Sequence, residues 1–589
     1  MVSGMIDNSI TEIKVLRLDD LPVTFAVIQQ LEISAILDRL APQHLNWVGD
    51  LSLGQVVIGW LVFILSTGDH RLNQVESWVD QRRDIYAACL RRFVRAFDFS
   101  DDRLADILET LSQAKLWSQF ELELNRRIIR VYDLQTNFIR IDSTTISTYA
   151  AVSPDGLLQL GYSKDQRPED AQLKIQLATL DPLGMPLATQ VAAGNSADDP
   201  LYLPAIAQVQ VCIGVGGKTY IGDAKMGALK TRATLAQSRD YYLCPLCEKQ
   251  LPPSRRENLI KAAVRGKFKL RPIKRERRDP LTDDLLSQEK IGLGYEVSVR
   301  LKAMIDDRAV RWKERRLVVR SCAYAESEIA QLEKRLKRAQ SELRNLVVRK
   351  QGKRRLSADE APAAAERILE RHRVKDLLAV KITTKTIGRE VRRYQDRPAR
   401  TQTESQSAIS VRRDSQAIKA VKEQMGWRVY ATNHPSLSLG AAVLAYREQF
   451  RIEDGISRLK GRPLGLSPMY LQTEPRMVGL INLLTIALRV LTLIEFRVRR
   501  GLRADGKPLS GIYAGQKGRQ TARPSAELLL KAFQGIDAVV GKVNEQLISY
   551  LRPLNTTQQR VLSLLELDVQ LYDKLLSDFQ KSTFNVSEP

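Results

Sequence analysis

Cysteine and histidine are both scarce, five and four in 589 residues. So few cysteines exclude a disulfide scaffold and fit a reducing cytoplasm. Cys244 and Cys247 form one CxxC in YYLCPLCEK, but a structural zinc site needs a second ligand pair, and none lies nearby. Cys89, Cys212 and Cys322 read as isolated core thiols. The start, MVSGMIDNSITEIKVL, lacks the basic and apolar regions of a secretion signal. Long apolar runs are few. VVIGWLVFIL at 56–65 is too short to span a bilayer. VGLINLLTIALRVLTLIEF at 478–496 is interrupted by Arg489 and reads as a buried helix. Acid is short of base: 68 Asp and Glu stand against 91 Lys and Arg, a net charge of +23 and a pI near 9.8. That surplus recurs in several segments and implies a polyanionic partner. Without an amphipathic anchor, nucleic acid is favoured over a membrane surface.

What is present divides the chain into five regions. Residues 1–130 read as helical, with apolar residues three to four apart in TFAVIQQLEISAILDRL and RLADILETLSQAKLWSQFELEL. HRLNQVESW holds His70, a catalytic candidate whose simpler reading is structural. Residues 131–240 turn to strand character. NFIRIDSTTIS predicts a strand ending at Asp142, 173–199 a hairpin around Asp-Pro-Leu-Gly, then a helix, and KTYIGD a strand ending at Asp223 before another helix. Residues 241–425 are highly charged. The heptad-like spacing of ESEIAQLEKRLKRAQSELRNLVVRK predicts a largely helical insertion, with KQGKRRLSADEAPAAAE as an exposed linker and VKITTKTIGREVRRYQD as strands. Residues 426–496 return to a strand, GWRVYATN, and helices; 497–589 begin as a basic loop and end in helices.

The stretch YREQFRIEDGISRLK sets Tyr446, Gln449, Glu453 and Lys460 at helical steps. At 100° per residue from Tyr446, the other three fall at about 300°, 340° and 320°, so one helix would carry all four in a narrow stripe. Ala445, Ile452, Ile456 and Leu459 flank the stripe, and Arg447, Arg451, Asp454 and Arg458 take the face expected to be solvated. Two readings stay open on spacing alone: a wet polar stripe, or a half-buried carboxylate that needs a partner or a metal. Asp142, Asp223 and Glu453 together, in a basic chain, suit divalent metal binding. Mg²⁺ takes oxygen ligands, and a pair of such ions serves phosphodiester displacement. Lys460 and Tyr446 suit phosphate contacts beside it. Asp165, Asp170, Asp181, Asp198 and Asp199 are rival carboxylates, with Asp181 read as turn chemistry.

YREQFRIEDGISRLKGRPL resembles the signature of bacterial insertion-sequence transposases that carry a DDE triad and a Tyr-x2-Arg-x3-Glu-x6-Lys motif. Tyr446, Glu453 and Lys460 match its Tyr, Glu and Lys; Gln449 stands where the motif has Arg, and neither Arg447 nor Arg451 shares its face. FIRIDSTTIS and TYIGDAKMG resemble the two Asp motifs, and GYSKDQRPEDAQLKI and GNSADD resemble sequences lying between them in a branch of that group. The resemblance implies an RNase H-like α/β fold: a mixed sheet flanked by helices, interrupted by a large insertion domain, with helical N- and C-terminal regions. It implies Asp142, Asp223 and Glu453 as catalytic metal ligands and Tyr446, Gln449, Lys460, Arg447 and Arg451 as DNA or phosphate contacts. Two Mg²⁺ ions are expected, with Mn²⁺ as a substitute. The partners implied are double-stranded DNA, both terminal inverted repeats and target, and a second copy of the chain on paired ends. The location implied is the bacterial cytoplasm, in association with the nucleoid. The activity implied is strand cleavage at element ends and transfer of the freed 3′-OH. Two alternatives stand beside it: a nuclease of the same fold, and a non-catalytic DNA-binding descendant. The family's insertion is largely β, whereas the heptad-like run here suggests added helices. Trp427 reads as core rather than as a base-contacting residue, and the N-terminal helices are the candidates for end recognition.

Overall fold

The computed structural model describes residues 10–41, 47–346, 360–392, 398, 400–516, 518–543 and 546–584. Strand β1 (Ile10–Arg17) opens the chain. The helices α1 (Leu21–Gln29), α2 (Ile33–Leu40), α3 (Leu53–Thr67), α4 (Leu72–Asp80), α5 (Arg83–Leu90), α6 (Asp101–Leu111) and α7 (Ala114–Tyr132) follow. The apolar run at 56–65 lies in α3, which starts at a Ser52–Gln55 capping box and is buried along nearly its whole length. His70 is structural: its Nδ1 meets the Leu464 carbonyl at 3.0 Å, and burial lowers its pKa.

Next come β2 (Phe138–Thr148), β3 (Ala171–Leu180), β4 (Met185–Ala193), α8 (Tyr202–Ile213), β5 (Thr219–Ile221), α9 (Leu229–Gln237) and β6 (Tyr241–Pro245). β3 pairs antiparallel with β2 and β4, while β5 runs parallel to β2 and β6. This is the RNase H-like arrangement, a mixed sheet with helices packed on it. β2 does not end at Asp142. The Ser/Thr cluster that follows is β-branched and keeps the strand going to Thr148, because each residue still finds a ladder partner on β3.

The segment expected to be largely helical is substantially β. It contains α10 (Pro253–Val264), β7 (Arg271–Arg278), β8 (Leu285–Ile305), β9 (Arg308–Ser321), α11 (Cys322–Asn345), α12 (Glu360–Arg371), β10 (Leu378–Val391), β11 (Arg400–Arg413) and α13 (Ser415–Glu423). β7, β8 and β9 continue the main sheet, whose order is β4-β3-β2-β5-β6-β12-β9-β8-β7 with β12 at Trp427–Thr432. Charged residues occupy both faces of β7, which hides its strand period, whereas the second half of β8, YEVSVRLKAMI, alternates apolar and polar residues as a strand does. The heptad-like run forms a helix, α11, as far as Asn345, and its last four residues lie outside the described residues. The linker expected at 350–366 lies outside the described residues up to 359 and is helical from Glu360. Helices α11–α13 and the β10–β11 hairpin share a small core of their own around Leu332, Leu336, Ile368 and Ile418. That lobe leaves and rejoins the sheet at one point, where the Ser321 N–H donates to the Gly426 carbonyl at 2.9 Å.

The chain continues through α14 (Leu439–Arg447), α15 (Phe450–Lys460) and α16 (Glu474–Asp505). α16 runs past residue 496, so FRVRRGLRAD is helix rather than loop. By length and composition α16 could cross a membrane, but its apolar stretch is 94% buried within the protein. It passes α6 at Gly479, where a Cβ would stand 2.0 Å from the Leu108 carbonyl oxygen. Arg489, fully buried, donates to Glu121 of α7 at 2.5 Å and to Asn125 at 3.1 Å. Burial pushes the Glu121 carboxyl up, and Arg489 pulls against it. β13 (Leu509–Ser510), β14 (Gln520–Thr521), α17 (Ala526–Lys531), β15 (Asp537–Val543), β16 (Gln546–Leu551), α18 (Thr556–Leu564) and α19 (Leu571–Phe584) close the chain. β15 pairs with β1 on one side and β16 on the other, in a three-stranded antiparallel sheet that joins the two ends of the chain.

Candidate active site

Asp142 lies on β2 and Asp223 just beyond β5. The two strands are parallel neighbours, with Arg140 opposite Ile221, and each Asp stands two residues further on. The ladder therefore sets the two carboxylates level with one another. Glu453 sits on α15, which packs on β2. Burial pushes the Asp142 carboxyl up to about 6, and the charges of Asp223 and Glu453 push the same way. Lys164, 3.9 Å away, and the Ser143 N–H, donating at 2.8 Å, oppose them. Asp223 is fixed by the Tyr202 hydroxyl at 2.7 Å and the Lys225 N–H at 2.8 Å. Three carboxylates thus come from separate elements into one electrostatic neighbourhood. Among the described residues, no three Asp, Glu, His or Cys side chains are placed to grip an ion as they stand.

The Tyr446–Lys460 stripe is not one helix. α14 stops at Arg447, Glu448 and Gln449 turn, and α15 starts at Phe450. The cause is distant in sequence. Arg140 on β2, fully buried, pairs with Asp181 at 2.7 Å and donates to the Ala445 carbonyl at 2.7 Å, taking up an acceptor at the end of α14. Asp181 is therefore an ion-pair partner as well as a turn residue. Glu453 is exposed rather than half-buried, because the break re-aims α15.

Tyr446 packs against Tyr430, with ring centroids 4.8 Å apart. Burial raises its pKa, and the nearby charge of Asp223 adds to that. Lys460 is engaged away from the triad. It donates to the Thr145 carbonyl at 2.9 Å and the Thr144 hydroxyl at 3.2 Å, and it pairs with Asp165. Both polar atoms of the Gln449 amide are buried without a hydrogen-bond partner. Arg447 donates to the Ser321 hydroxyl at 2.8 Å and so ties α14 to the inserted strands. Arg451 pairs with Glu448 at 2.9 Å. Among the rival carboxylates, Asp198 is taken by Lys174 at 2.8 Å, while Asp170 lies 3.7 Å from Arg167 and Asp199 3.9 Å from Lys225. Trp427 is core, buried with its indole N–H on the Glu423 carbonyl at 2.9 Å.

Arg140, Lys164 and Tyr202 are the neighbours that sequence reasoning misses. Lys164 had a faint signal as the cation inside GYSKDQRPED, and Tyr202 had none.

Compared with known families, residues 134–490, more than half of the chain, match the transposase DDE domain. The chain belongs to that family. No curated protein sequence matches it. The matched span of this DDE transposase domain runs from just before β2 into α16 and includes Asp142, Asp223 and Glu453. DDE transposases act on DNA and generally use divalent metal ions, and a set of carboxylate oxygens is the donor chemistry that Mg²⁺ prefers.

Proposed function

We propose that this protein is an active bacterial insertion-sequence transposase that cleaves DNA at terminal inverted repeats and transfers the freed 3′-OH into target DNA. The observation that carries this reading is the electrostatic convergence of Asp223 and Glu453 on Asp142 within the family-matched span. Negative charge gathered there, opposed by Lys164, is a place for added cations. Asp142, Asp223 and Glu453 would hold the divalent ions, Mg²⁺ or Mn²⁺, whose chemistry when bound is to activate water and to stabilise the displaced oxygen.

The remaining work falls to the chain's own groups. The Ser143 N–H and the Tyr202 hydroxyl hold the two Asp carboxylates in fixed rotamers. Tyr446, beside Asp223, offers a phenolic O–H to a phosphate oxygen. Its raised pKa keeps that proton in place at neutral pH. Lys164 offers a cation to the same backbone. Lys460 braces β2 and the loop carrying Asp165, which is a positioning role in the signature Tyr446-x2-Gln449-x3-Glu453-x6-Lys460. Gln449 stands in place of the motif's Arg; its amide is buried and without a partner, so a DNA contact from it requires the side chain to turn outward. The helices before residue 131 serve end recognition, and two copies act on paired ends in the bacterial cytoplasm.

The test uses purified protein, an end-repeat duplex, a target plasmid and Mg²⁺. Joined products are expected. Nicks alone would mean a nuclease, and a gel shift without cleavage would mean a binding protein. Asp142→Ala, Asp223→Ala and Glu453→Ala each abolish cleavage while duplex binding survives. Full cleavage by any one of them would sink the triad assignment.

A further inference from the structure

α15 has a second working face. Measured round the helix from Glu453, Asp454, Arg458 and Arg451 lie about 100–160° away, on its far side. This side is not simply solvated. It forms one wall of a cleft of about 1400 Å³, whose other walls are the C-terminal half of α16, the segment 523–531 and the Pro182–Gly184 turn between β3 and β4.

The lining is strongly basic. Arg451, Arg458 and Arg462 come from α15 and the turn after it, and Arg499, Arg500 and Arg503 from α16. Arg523 and Lys531 make eight cations against Asp454, Glu495 and Glu527 in the lining; Glu448 and Glu566 beside it pair with Arg451 and Arg500, so three positive charges remain in excess (8 − 5). Two of the three acids are already in use: Arg458 reaches Glu527 at 2.6 Å and Glu495 at 3.1 Å, and Arg499 reaches Glu495 at 2.9 Å. Arg462, Arg523 and Lys531 are exposed and have no acidic partner among the described residues. Burial lowers the pKa of Arg499, and the charges of Arg458 and Arg523 lower it further. Like charges crowded this closely repel, and an anion filling the space between them relieves the repulsion. Seven of the eight cations are arginines. Their planar forks match phosphate oxygens in pairs, which a compact ammonium does not.

We propose that this cleft is a second DNA-backbone site, holding a stretch of duplex other than the strand presented to Asp142, Asp223 and Glu453. The choice of DNA rests on the transposase reading; the separation of the two sites rests on the opposite faces of α15. The test removes only the three unpartnered cations, Arg462→Ala, Arg523→Ala and Lys531→Ala together, so that no ion pair of the fold is lost. Binding of a plain duplex is followed by fluorescence anisotropy over a range of salt. The triple variant is expected to bind about 10- to 100-fold more weakly at ~0.1 M salt, with a log–log salt slope shallower by up to about 2.7, or about 0.9 per phosphate released. A photo-crosslinker on Ser457→Cys, inside the cleft, is expected to capture the duplex. Unchanged affinity and slope in a protein whose wild type binds duplex would overturn the cleft proposal and leave the triad standing. Equal competition by polyglutamate would make the cleft a site for acidic polypeptide and would also overturn it. A wild type that binds no duplex at all would remove both readings. Asp142→Ala, which tests catalysis, leaves this binding intact.

Discussion

Asp20 shows what a single residue conceals in a sequence. In LRLDDLP it is one of two adjacent acids. In the fold it is 5% exposed, accepts from the hydroxyls of Ser66 at 3.0 Å and Thr24 at 3.3 Å, and is pushed by burial up to about 6 from 3.8. A carboxyl whose folded pKa is raised is held more tightly as the acid in the native state. Its protonation stabilises the fold fully below pH 3.8, and that contribution is lost as the pH rises through about 6. Asp20→Asn keeps an acceptor for Ser66 and carries no charge. It should therefore be more stable than wild type above about pH 6, by on the order of 3 kcal/mol at most, with the difference vanishing below the unfolded pKa. Thermal melts across that window check it; a pH-independent difference would contradict the assignment. Asp142 differs in that Asp223 and Glu453 add their charges to the effect of burial. Both Asp of the site are legible because strand patterns lead up to them. Tyr202 is not, because its contact with Asp223 is made through the packing of α8 on the sheet.

At the scale of elements, local pattern succeeds where one face is apolar and fails where contacts come from far away. The hairpin, α8, β5 and α9 follow the sequence reading in order, because their apolar periods are unbroken. β7 escapes it because charge lies on both faces, whereas the alternation of Tyr295 to Ile305 in β8 is legible as a strand. The α14–α15 break escapes it because steps of 3, 4 and 7 fit one continuous helix, while the residue that settles the end of α14, Arg140, lies 305 positions from the Ala445 carbonyl it binds. Breaking a buried ion pair from one side costs about 3–5 kcal/mol. Arg140→Ala should lower the denaturant midpoint accordingly and reduce cleavage. The double variant Arg140→Met with Asp181→Leu removes both charges and should recover most of the stability. It should not recover the cleavage, since nothing then holds the end of α14 and aims Glu453. Recovery of both together would mean that Arg140 supports the fold without positioning the helix.

For the molecule as a whole, the nine-stranded sheet is entered and left by the α11–α13 lobe at one doorway. β9 and β12 are antiparallel neighbours, Arg320 opposite Trp427, so residues 322–425 occupy the position of a hairpin loop between them. The lobe has its own apolar core, and polar ties cross the doorway: Glu328 accepts the Gly426 N–H at 2.7 Å, and Arg320 reaches the Met425 and Lys422 carbonyls at 2.9 and 3.0 Å. The triad elements β2, β5 and α15 lie outside it. Replacing 322–425 with a short turn should therefore leave a protein that still melts cooperatively. The ties lost amount to a few net hydrogen bonds, about 1 kcal/mol each, which for a chain of this size is a fall of only a few degrees in Tm. Mg²⁺-dependent nicking of an end duplex should persist in the shortened protein if the chemistry belongs to Asp142, Asp223 and Glu453 alone. Loss of nicking with a retained cooperative melt would place a DNA contact needed for cleavage inside the lobe, and loss of the melt itself would show that the lobe's core is continuous with that of the sheet.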